Sequence, residues 1–514
     1  MKDIGVLKSY WLDSTPETSY LELREDINVD VVIVGGGMVG IITAYLLTKE
    51  GLKVAVVEAD RILQGTTGHT TAKLTSLHEL CYDKLRRNLG EESAKIYAKA
   101  NEYAINFVEK MIQEKGIECD FVKCPSYVYT TKEQNIKSIE NEVDAAQKFG
   151  IKAHFLEDIN LPIKIKAAVC FENQARFHPR KFLLPLANDI VSNGSYIFEK
   201  SRVIDLVEGS PNVVVTSSGK KVAAKYAVIA THFPFYDGLG LYFTRLLPER
   251  SYVIAVQAKE KFPEGLFINA EDPTRSLRSQ PFDKGELILV GGENHITAHG
   301  KNFNQHYINL KDFAINTFTI EKIWYRWSTQ DYNTIDGLPY IGRLTASTEN
   351  IFVATGFKKW GMTSSIVSGT IIKDLITKGE NTWAHIYDPR RFISSANAGV
   401  ALVKQNLDVA KNLVKGKLGE FSQDVEIQNG EGKVLEINGE RIGAYRDENG
   451  TLHRVDTTCT HLGCELHWND AELSWDCPCH GSRFTYEGDI MEGPAHNPLK
   501  HLEEGKNKID PNIL

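Results

Sequence analysis

Long uninterrupted apolar runs are missing from this chain of 514 residues. The longest apolar stretch, 31–47, contains four glycines. A membrane helix needs about 20 consecutive, predominantly apolar residues. The N-terminal residues also lack the apolar core of a secretory signal peptide. We therefore expect no transmembrane segment and a cytoplasmic location.

An excess of positive charge is missing too, since the net charge is −8, and this argues against a nucleic-acid partner. The 25% of charged and 42% of hydrophobic residues are typical of a globular protein, and the length predicts about two to four domains. Cysteine is scarce outside one segment that holds four of the eight cysteines. The other four are scattered, which indicates reduced thiols rather than a disulfide framework.

The clustered cysteines stand in CTHLGC, which starts at Cys459, and in CPCHGS, which starts at Cys477. Cys459 is followed by His461, and Cys477 by His480. Two thiolates on one iron and two imidazoles on the other are the ligands of a Rieske [2Fe–2S] centre. Zinc is the alternative, but its sites usually pair Cys with Cys and His with His. We therefore predict a one-electron carrier held by these four residues.

The C-terminal segment resembles the Rieske proteins of respiratory and photosynthetic cytochrome complexes. The resemblance implies a disulfide between Cys464 and Cys479, and a Ser482 hydroxyl that hydrogen-bonds a cluster sulfur. The sequence GPAHNPL, 493–499, resembles the family's proline-rich third loop. The family often has Tyr where this chain has Phe484. We expect the missing hydroxyl to lower the reduction potential, because hydrogen bonds to the sulfurs tune it.

A glycine-rich motif follows a β-branched run near the N-terminus. Gly35, Gly37 and Gly40 form G-x-G-x-x-G, and a helix is predicted over Met38–Lys49. The first glycine permits a tight turn, the second lets the backbone approach a pyrophosphate, and the third lets the helix pack on the strand. A second apolar strand ends at Glu58, where an acid reads a ribose hydroxyl. This order predicts a Rossmann-type dinucleotide site.

Two later segments favour FAD over NAD. Residues 194–232 alternate like strands and end in VIATH, and residues 349–376 run strand, glycine-rich turn, helix. In the second segment, Gly356 and Gly361 would let backbone amides approach a ring system. No second G-x-G-x-x-G follows a predicted strand, so we expect no separate nicotinamide domain.

The region up to about residue 390 resembles the D-amino acid oxidase/glycine oxidase superfamily of FAD-dependent amine oxidoreductases. The motifs that carry the resemblance are VVIVGGGMVG, VVEAD, VIATH, DGLPYIG and ATGFKKWGMT. It implies an α/β FAD-binding domain of Rossmann type, interleaved with a mixed-sheet substrate domain, and hydride transfer from the carbon beside an amine to FAD. The further FAD-binding residues predicted in these regions are Arg61, Thr66, Thr67, His69, Val203, Met362 and Thr363.

Three of the candidate catalytic residues are His69, His178 and Lys358. The segment GTTGHTTAKLT resembles that of the dimethylglycine and sarcosine dehydrogenases, and His69 stands where they carry a histidine bonded covalently to the flavin. The alternative is a histidine that hydrogen-bonds the cofactor or lies near it. His178 is a candidate pocket residue, and the alternative is a capping or core histidine. Lys358 would stabilise anionic reduced flavin, unless it is a solvated surface lysine.

The last two candidates, Arg326 and Trp327, lie just upstream of the DG-x-P segment. Glycine oxidases carry there an arginine that binds the substrate carboxylate. The stretch STQDYNTIDG has no arginine, although Arg326 precedes it. We therefore expect an amine or N-alkyl amine rather than a simple D-amino acid. Trp327 is a candidate for an aromatic cage, or simply a core residue, together with Tyr252, Tyr332 and Trp360.

We predict an FAD-dependent amine oxidoreductase unit at 1–392, an amphipathic helical linker at 393–419 and an all-β Rieske domain at 420–514. FAD is expected to oxidise an amine, N-alkyl amine or amino acid. The cluster is expected to pass the electrons singly to an external acceptor, a redox protein or a quinone. Two alternatives stay open: reversed electron flow from the cluster to FAD, and a redox sensor that turns over no substrate.

Overall fold

The structure, a computed structural model, describes residues 4–391, 426–437 and 440–502. The predicted linker, 393–419, lies outside these residues. Within them, none of the helices combines the length and the apolarity needed to cross a bilayer. The helices are α1 (Tyr10–Asp13), α2 (Met38–Lys49), α3 (Tyr82–Leu89), α4 (Glu91–Lys115), α5 (Ile136–Lys148), α6 (Pro179–Ser192), α7 (Asn304–Thr317), α8 (Gly361–Thr377) and α9 (Ala384–Tyr387).

The strands of the N-terminal unit belong to two sheets that share the chain. They are β1 (Val6–Leu7), β2 (Ile27–Val34), β3 (Val54–Val57), β4 (Lys73–Leu74), β5 (Val122–Thr130), β6 (Ala153–Leu156), β7 (Ala167–Arg176), β8 (Tyr196–Phe198), β9 (Val203–Val207), β10 (Asn212–Thr216), β11 (Lys221–Ile229), β12 (Leu246–Ala258), β13 (Leu266–Asn269), β14 (Arg275–Phe282), β15 (Gly285–Ile296), β16 (Ile320–Thr334), β17 (Tyr340–Arg343) and β18 (Ile351–Thr355).

The first sheet has the strand order β17-β18-β11-β2-β3-β8, and β10 and β9 extend it from β11. Strands β18, β11, β2, β3 and β8 are parallel. Successive side chains of β2 enter two different cores: Val31 and Ile33 pack with α2, and Val32 and Val34 pack on the opposite face. A parallel sheet that is buried on both faces needs such β-branched runs. The predicted strand–helix–strand unit is confirmed, and the predicted bounds of α2 are those observed.

The second sheet is mixed and has the order β1-β16-β12-β15-β14-β13-β5-β7-β4, with β6 on β7. Strands β4–β7 lie in sequence between β3 and β8 of the first sheet, and β12–β16 lie between β11 and β17. The chain therefore crosses repeatedly between the two sheets, which confirms the predicted interleaving of a Rossmann-type region with a mixed-sheet region.

The C-terminal region is built from antiparallel strands, as predicted. One sheet has the order β19-β20-β21 and the other β22-β23-β24-β25. The strands are β19 (Gly432–Ile437), β20 (Glu440–Arg446), β21 (Leu452–Asp456), β22 (His467–Asn469), β23 (Ser474–Asp476), β24 (Arg483–Thr485) and β25 (Ile490–Glu492).

This C-terminal unit, 426–502, packs against β12, β16 and the start of α7. Asp470 accepts hydrogen bonds from the Phe303 N–H at 2.9 Å and from Asn304 Nδ2 at 2.7 Å. The Tyr307 hydroxyl donates to Glu472 Oε1 at 2.7 Å. These contacts join the C-terminal unit to the mixed-sheet region.

Candidate active site and cluster site

A cavity of about 1120 Å³ lies where both sheets meet the C-terminal unit. Most of the predicted cofactor-binding residues line it, although they come from segments far apart in sequence. Those on its wall are Gly35, Gly37, Glu58, Arg61, Thr66, Thr67, His69, Val203, Gly361 and Met362.

The other three predicted cofactor residues lie behind this wall. A Cβ on Gly40 would lie 1.9 Å from Gly35 O, so this glycine lets α2 pack on β2, as predicted. Gly356 has a φ of +76°, and a Cβ there would lie 2.3 Å from Thr334 Cγ2. The Thr363 hydroxyl lies 3.2 Å from His78 Nε2 in the protein interior. Gly356 and Thr363 therefore support the wall without forming it.

Two helix N-termini on the wall suit the anionic and polar parts of a dinucleotide. Helix α2 starts after Gly37, and α8 starts at Gly361 with no side chain capping its free N–H groups. Glu58 accepts from the Gly36 N–H at 2.6 Å and from the Asp60 N–H at 3.0 Å. Burial raises the pKa of Glu58. The free N–H donors and the acid beside β3 fit FAD.

His69 is on the wall, and its tautomer follows from its contacts. Its Nδ1 lies 3.0 Å from Gln64 O and 2.9 Å from Gly65 O, and both oxygens can only accept. Nδ1 therefore carries the proton, and Nε2 is the nitrogen with a free lone pair. Trp327 is buried and donates from Nε1 to His69 O at 2.8 Å, so it holds the His69 loop from behind. The covalent bond to flavin stays a prediction.

Three predicted catalytic residues do not line the cavity: Trp327, which is a core residue behind it, and His178 and Arg326. His178 is buried at the start of α6, where Nδ1 accepts from the Lys181 N–H at 3.2 Å and Nε2 lies 2.9 Å from Ser14 Oγ. Burial lowers the pKa of His178 to about 3. The capping alternative therefore describes it. The Arg326 guanidinium lies over the Tyr307 ring, 5.3 Å from its centroid, and Arg326 does not line the cavity.

Some residues of the cavity wall were predicted from the sequence, and others were not. Lys358 lies on the wall, and its N–H donates to Tyr332 O at 3.1 Å. Sequence reasoning missed Lys73, which is four residues beyond His69. Its ammonium donates to Phe267 O at 3.3 Å and to the Ser276 hydroxyl, and burial lowers its pKa to about 7. Asp331 was also missed, although its place in STQDYNTIDG was a signal. The aromatic residues Tyr252, Tyr332 and Trp360 are on the wall too.

The four predicted cluster ligands converge at one end of the C-terminal unit. The rings of His461 and His480 lie 5.0 Å apart at 88°, and both Nδ1 atoms are buried without a hydrogen-bond partner among the described residues. Hydrogen bonds with Cys477, and further with Ser482, lower the pKa of Cys459 against the effect of burial. Buried orphan nitrogens are rare unless something else binds them. This donor set fits a [2Fe–2S] cluster.

A disulfide and a hydrogen bond hold together the loops around the cluster site. A disulfide joins Cys464 to Cys479, and the Cys477 sulfur lies within 4.8 Å of both. The Ser482 hydroxyl accepts from the Ala495 N–H at 3.0 Å, which fixes the third loop. Phe484 is fully buried in the core beside the ligands.

Replacing Phe484 by tyrosine is expected to raise the midpoint potential of the cluster by some tens of millivolts. A new hydrogen bond to a ligand sulfur favours the reduced, more negative cluster, and about 1.4 kcal/mol corresponds to about 59 mV for a one-electron couple. An EPR-monitored redox titration measures the shift. Phe484→Leu, which also lacks a hydroxyl, should show no rise. An unchanged potential in the tyrosine variant with an intact cluster would contradict the expectation.

Strand β16 connects the cluster loops to the cavity. Gln330 Nε2 donates to Gly481 O, beside the ligand His480, at 2.8 Å. The backbone oxygen of Gln330 accepts from His232 Nε2 at 2.9 Å, and His232 lines the cavity. The Tyr332 hydroxyl donates to Gly493 O of the third loop at 3.2 Å. The two sites are therefore separated by a few hydrogen-bonded groups.

The fold and the two sites define a flavin-dependent oxidoreductase that also carries an iron–sulfur centre. The chain belongs to the FAD dependent oxidoreductase family, whose model matches residues 30–375, and a Rieske [2Fe-2S] domain model matches residues 420–503. Its cofactors are FAD and the Rieske cluster. It is therefore a FAD-dependent oxidoreductase with a Rieske domain.

Three known proteins illustrate the similarity. The putative Rieske 2Fe-2S iron-sulfur protein YhfW of Bacillus subtilis is 45% identical over 96% of this chain and 97% of its own length. Gamma-glutamylputrescine oxidoreductase of Escherichia coli is 25% identical over 69% of this chain and 85% of its own. The structure of glycine oxidase from Geobacillus kaustophilus superposes with a TM-score of 0.61 at 19% identity, covering 71% of this chain and 99% of that one.

Proposed function

We propose that this protein oxidises an amine-type substrate and delivers the electrons to an external acceptor, a redox protein or a quinone. When bound, FAD supplies hydride acceptance and the Rieske cluster supplies one-electron transfer. The substrate loses a hydride and a proton and becomes an imine, which water hydrolyses. The observation that carries the proposal is the direct link from the cavity through Gln330 to Gly481, beside a cluster ligand.

The residues that line the cavity support the proposed oxidation of an amine. Tyr252, Tyr332 and Trp360 line the cavity, and aromatic rings attract a substrate ammonium group. One face of Trp360 is stacked on His78 and one face of Tyr252 on His306. Glu58 and the N-termini of α2 and α8 orient the dinucleotide. A cluster attached to the same chain offers an acceptor other than O₂, so we propose a dehydrogenase. The similarity to gamma-glutamylputrescine oxidoreductase is consistent with an amine donor.

The test is an anaerobic titration of the purified protein with amines, N-methyl amino acids and simple amino acids. Flavin absorbance and the EPR signal of the reduced cluster are followed together. We expect at least one amine to bleach the flavin and then to reduce the cluster. A Cys477→Ser variant, which loses a cluster ligand, should show flavin bleaching alone.

The other outcomes separate the alternatives. Flavin bleaching without any cluster reduction in the unmodified protein would refute the relay. Reduction of the flavin only when the cluster is reduced first would favour reversed flow. If no compound bleaches the flavin while both cofactors are intact, a redox sensor becomes the better explanation.

A further inference from the structure

Asp331 is an acid on the cavity wall that forms no ion pair with another described residue. It lies on β16 and is only 6% exposed. Its side chain has no hydrogen-bond or ion-pair partner within the part of the chain that the structure describes. Burying an unpaired carboxylate is costly, so buried acids normally have a partner. A lone acid facing a cavity therefore points to a ligand.

Two cations near Asp331, Lys359 and Arg250, contact other acids. Glu249 lies directly across the sheet from Asp331, and it binds Lys359 Nζ at 2.7 Å. Arg250, on the same strand as Glu249, donates to the Ser328 hydroxyl and lies 3.6 Å from Glu472. Arg250 Nε and Nη1 are nevertheless buried without a hydrogen-bond partner among the described residues, and Lys358, in the turn before α8, also lines the cavity. None of these cations forms an ion pair with Asp331 within the described part of the chain.

The C-terminal unit adds a second acid to this wall. Glu492 of β25 lines the cavity, and its Oε1 lies 3.0 Å from Arg483 and 3.9 Å from Arg250. Its Oε2 is buried and has no hydrogen-bond partner among the described residues. The wall therefore presents one unpaired carboxyl group and one free carboxylate oxygen.

The proton on Asp331 depends on whether a cation is present. Burial raises its pKa to about 8; Lys359 and Arg250 oppose the shift, while Glu249 and Glu492 add to it. Near neutral pH the carboxyl group therefore keeps its proton in the empty cavity. A cationic ligand would favour the carboxylate and release that proton.

We propose that Asp331 binds a cationic group of the substrate, so that the preferred substrates are diamines or similar compounds with a second ammonium group. This deepens the proposed function, because it names the substrate class of the same cavity. The second ammonium group would pair with Asp331, while the first would lose its proton to solvent after binding and then be oxidised.

The binding test uses the full-length protein with FAD bound and the probes 1,4-diaminobutane, n-butylamine and glycine. Binding is followed under anaerobic conditions by the change in the flavin absorbance spectrum. We expect the diamine to bind at least about tenfold more tightly than butylamine, because a charge-assisted hydrogen bond is added. Asp331→Asn should remove this advantage, and Asp331→Glu should keep part of it. Glu321→Gln, an exposed acid on the same strand, is the matched control.

The pH dependence gives a second readout that a merely structural role would not produce. From about pH 8 down to about pH 6, diamine affinity should fall by up to about tenfold per pH unit, since binding must displace the proton of Asp331. The ammonium groups of the probe stay protonated throughout, and Asp331→Asn should show no such slope.

Three results would overturn the proposal: equal binding of diamine by Asp331→Asn and the unmodified protein, glycine binding as tightly as the diamine, or a flat pH profile of the unmodified protein. The last needs no variant, so a misfolded variant leaves the test intact. Binding without any flavin bleaching would instead count against the proposed oxidation, while the role of Asp331 in recognition would stand.

Discussion

Replacement of Gly40 by alanine is expected to yield a protein that does not retain FAD. The new Cβ would lie 1.9 Å from Gly35 O and 3.1 Å from Gly35 C, which are backbone atoms beside the cavity. Helix α2 must move away from β2 to relieve this contact, and overpacking of a core costs about 1–3 kcal/mol or more. The same movement displaces Gly37 and the first turn of α2 from the wall. The ratio of FAD to protein after purification measures the loss.

Gly285→Ala is the matched control for this substitution. No atom lies within 4 Å of a Cβ built at Gly285, and its backbone is not left-handed. That variant should keep its full complement of FAD. If Gly40→Ala also kept FAD and melted at the temperature of the unmodified protein, the close packing of α2 on β2 would not be what forms the site.

Replacement of Gln330 by leucine is expected to slow electron transfer from flavin to cluster by about tenfold or more. The substitution leaves the buried Gly481 O and the Thr297 hydroxyl, which donates to Gln330 Oε1 at 2.7 Å, without their partner. An unsatisfied buried polar group costs about 1–3 kcal/mol. A destabilisation of about 1.4 kcal/mol lowers the ratio of docked to undocked C-terminal unit tenfold. Laser-flash reduction of the flavin, followed by absorbance in both cofactors, measures the rate without any substrate.

The flavin side should be little affected by this change. The contact with His232 is made by the backbone oxygen of residue 330, which leucine retains. Gln257→Leu removes a glutamine that accepts from Trp324 Nε1 at 3.0 Å, away from the C-terminal unit, and should transfer electrons at the unmodified rate. Equal rates in Gln330→Leu and the unmodified protein would show that this hydrogen bond does not hold the two sites together.

Local spacing was enough to predict the parts of the molecule in which neighbours in sequence act together. Cys459 and His461 share one loop, Cys477 and His480 share another, and a disulfide connects the two loops. The glycine motif and α2 are equally local, so the bounds of α2 and the close packing at Gly40 followed from the residues alone. The same holds for the antiparallel hairpins of the C-terminal unit.

The remaining site depends on contacts between distant segments, which local patterns do not encode. His178 caps α6 through the nearby Lys181 N–H, but its other nitrogen contacts Ser14, 164 residues earlier, which a local pattern does not encode. Arg326 and Asp331 are on the same strand, yet only Asp331 faces the cavity, because orientation alternates along a strand and depends on its bulges and partners. No role for Gln330 could be predicted from the sequence, because its partner Gly481 lies 151 residues later in the chain.

The wall that the C-terminal unit contributes to the FAD cavity also constrains how the protein is made. Ile490 O accepts from Arg202 Nη2 at 3.4 Å, and Ile490, Glu492 and His496 all line the cavity. The FAD-binding region is synthesised first, and this wall is the last part of the cavity to leave the ribosome. The side of the cavity formed by Ile490, Glu492 and His496 is therefore complete only after the C-terminal unit has docked.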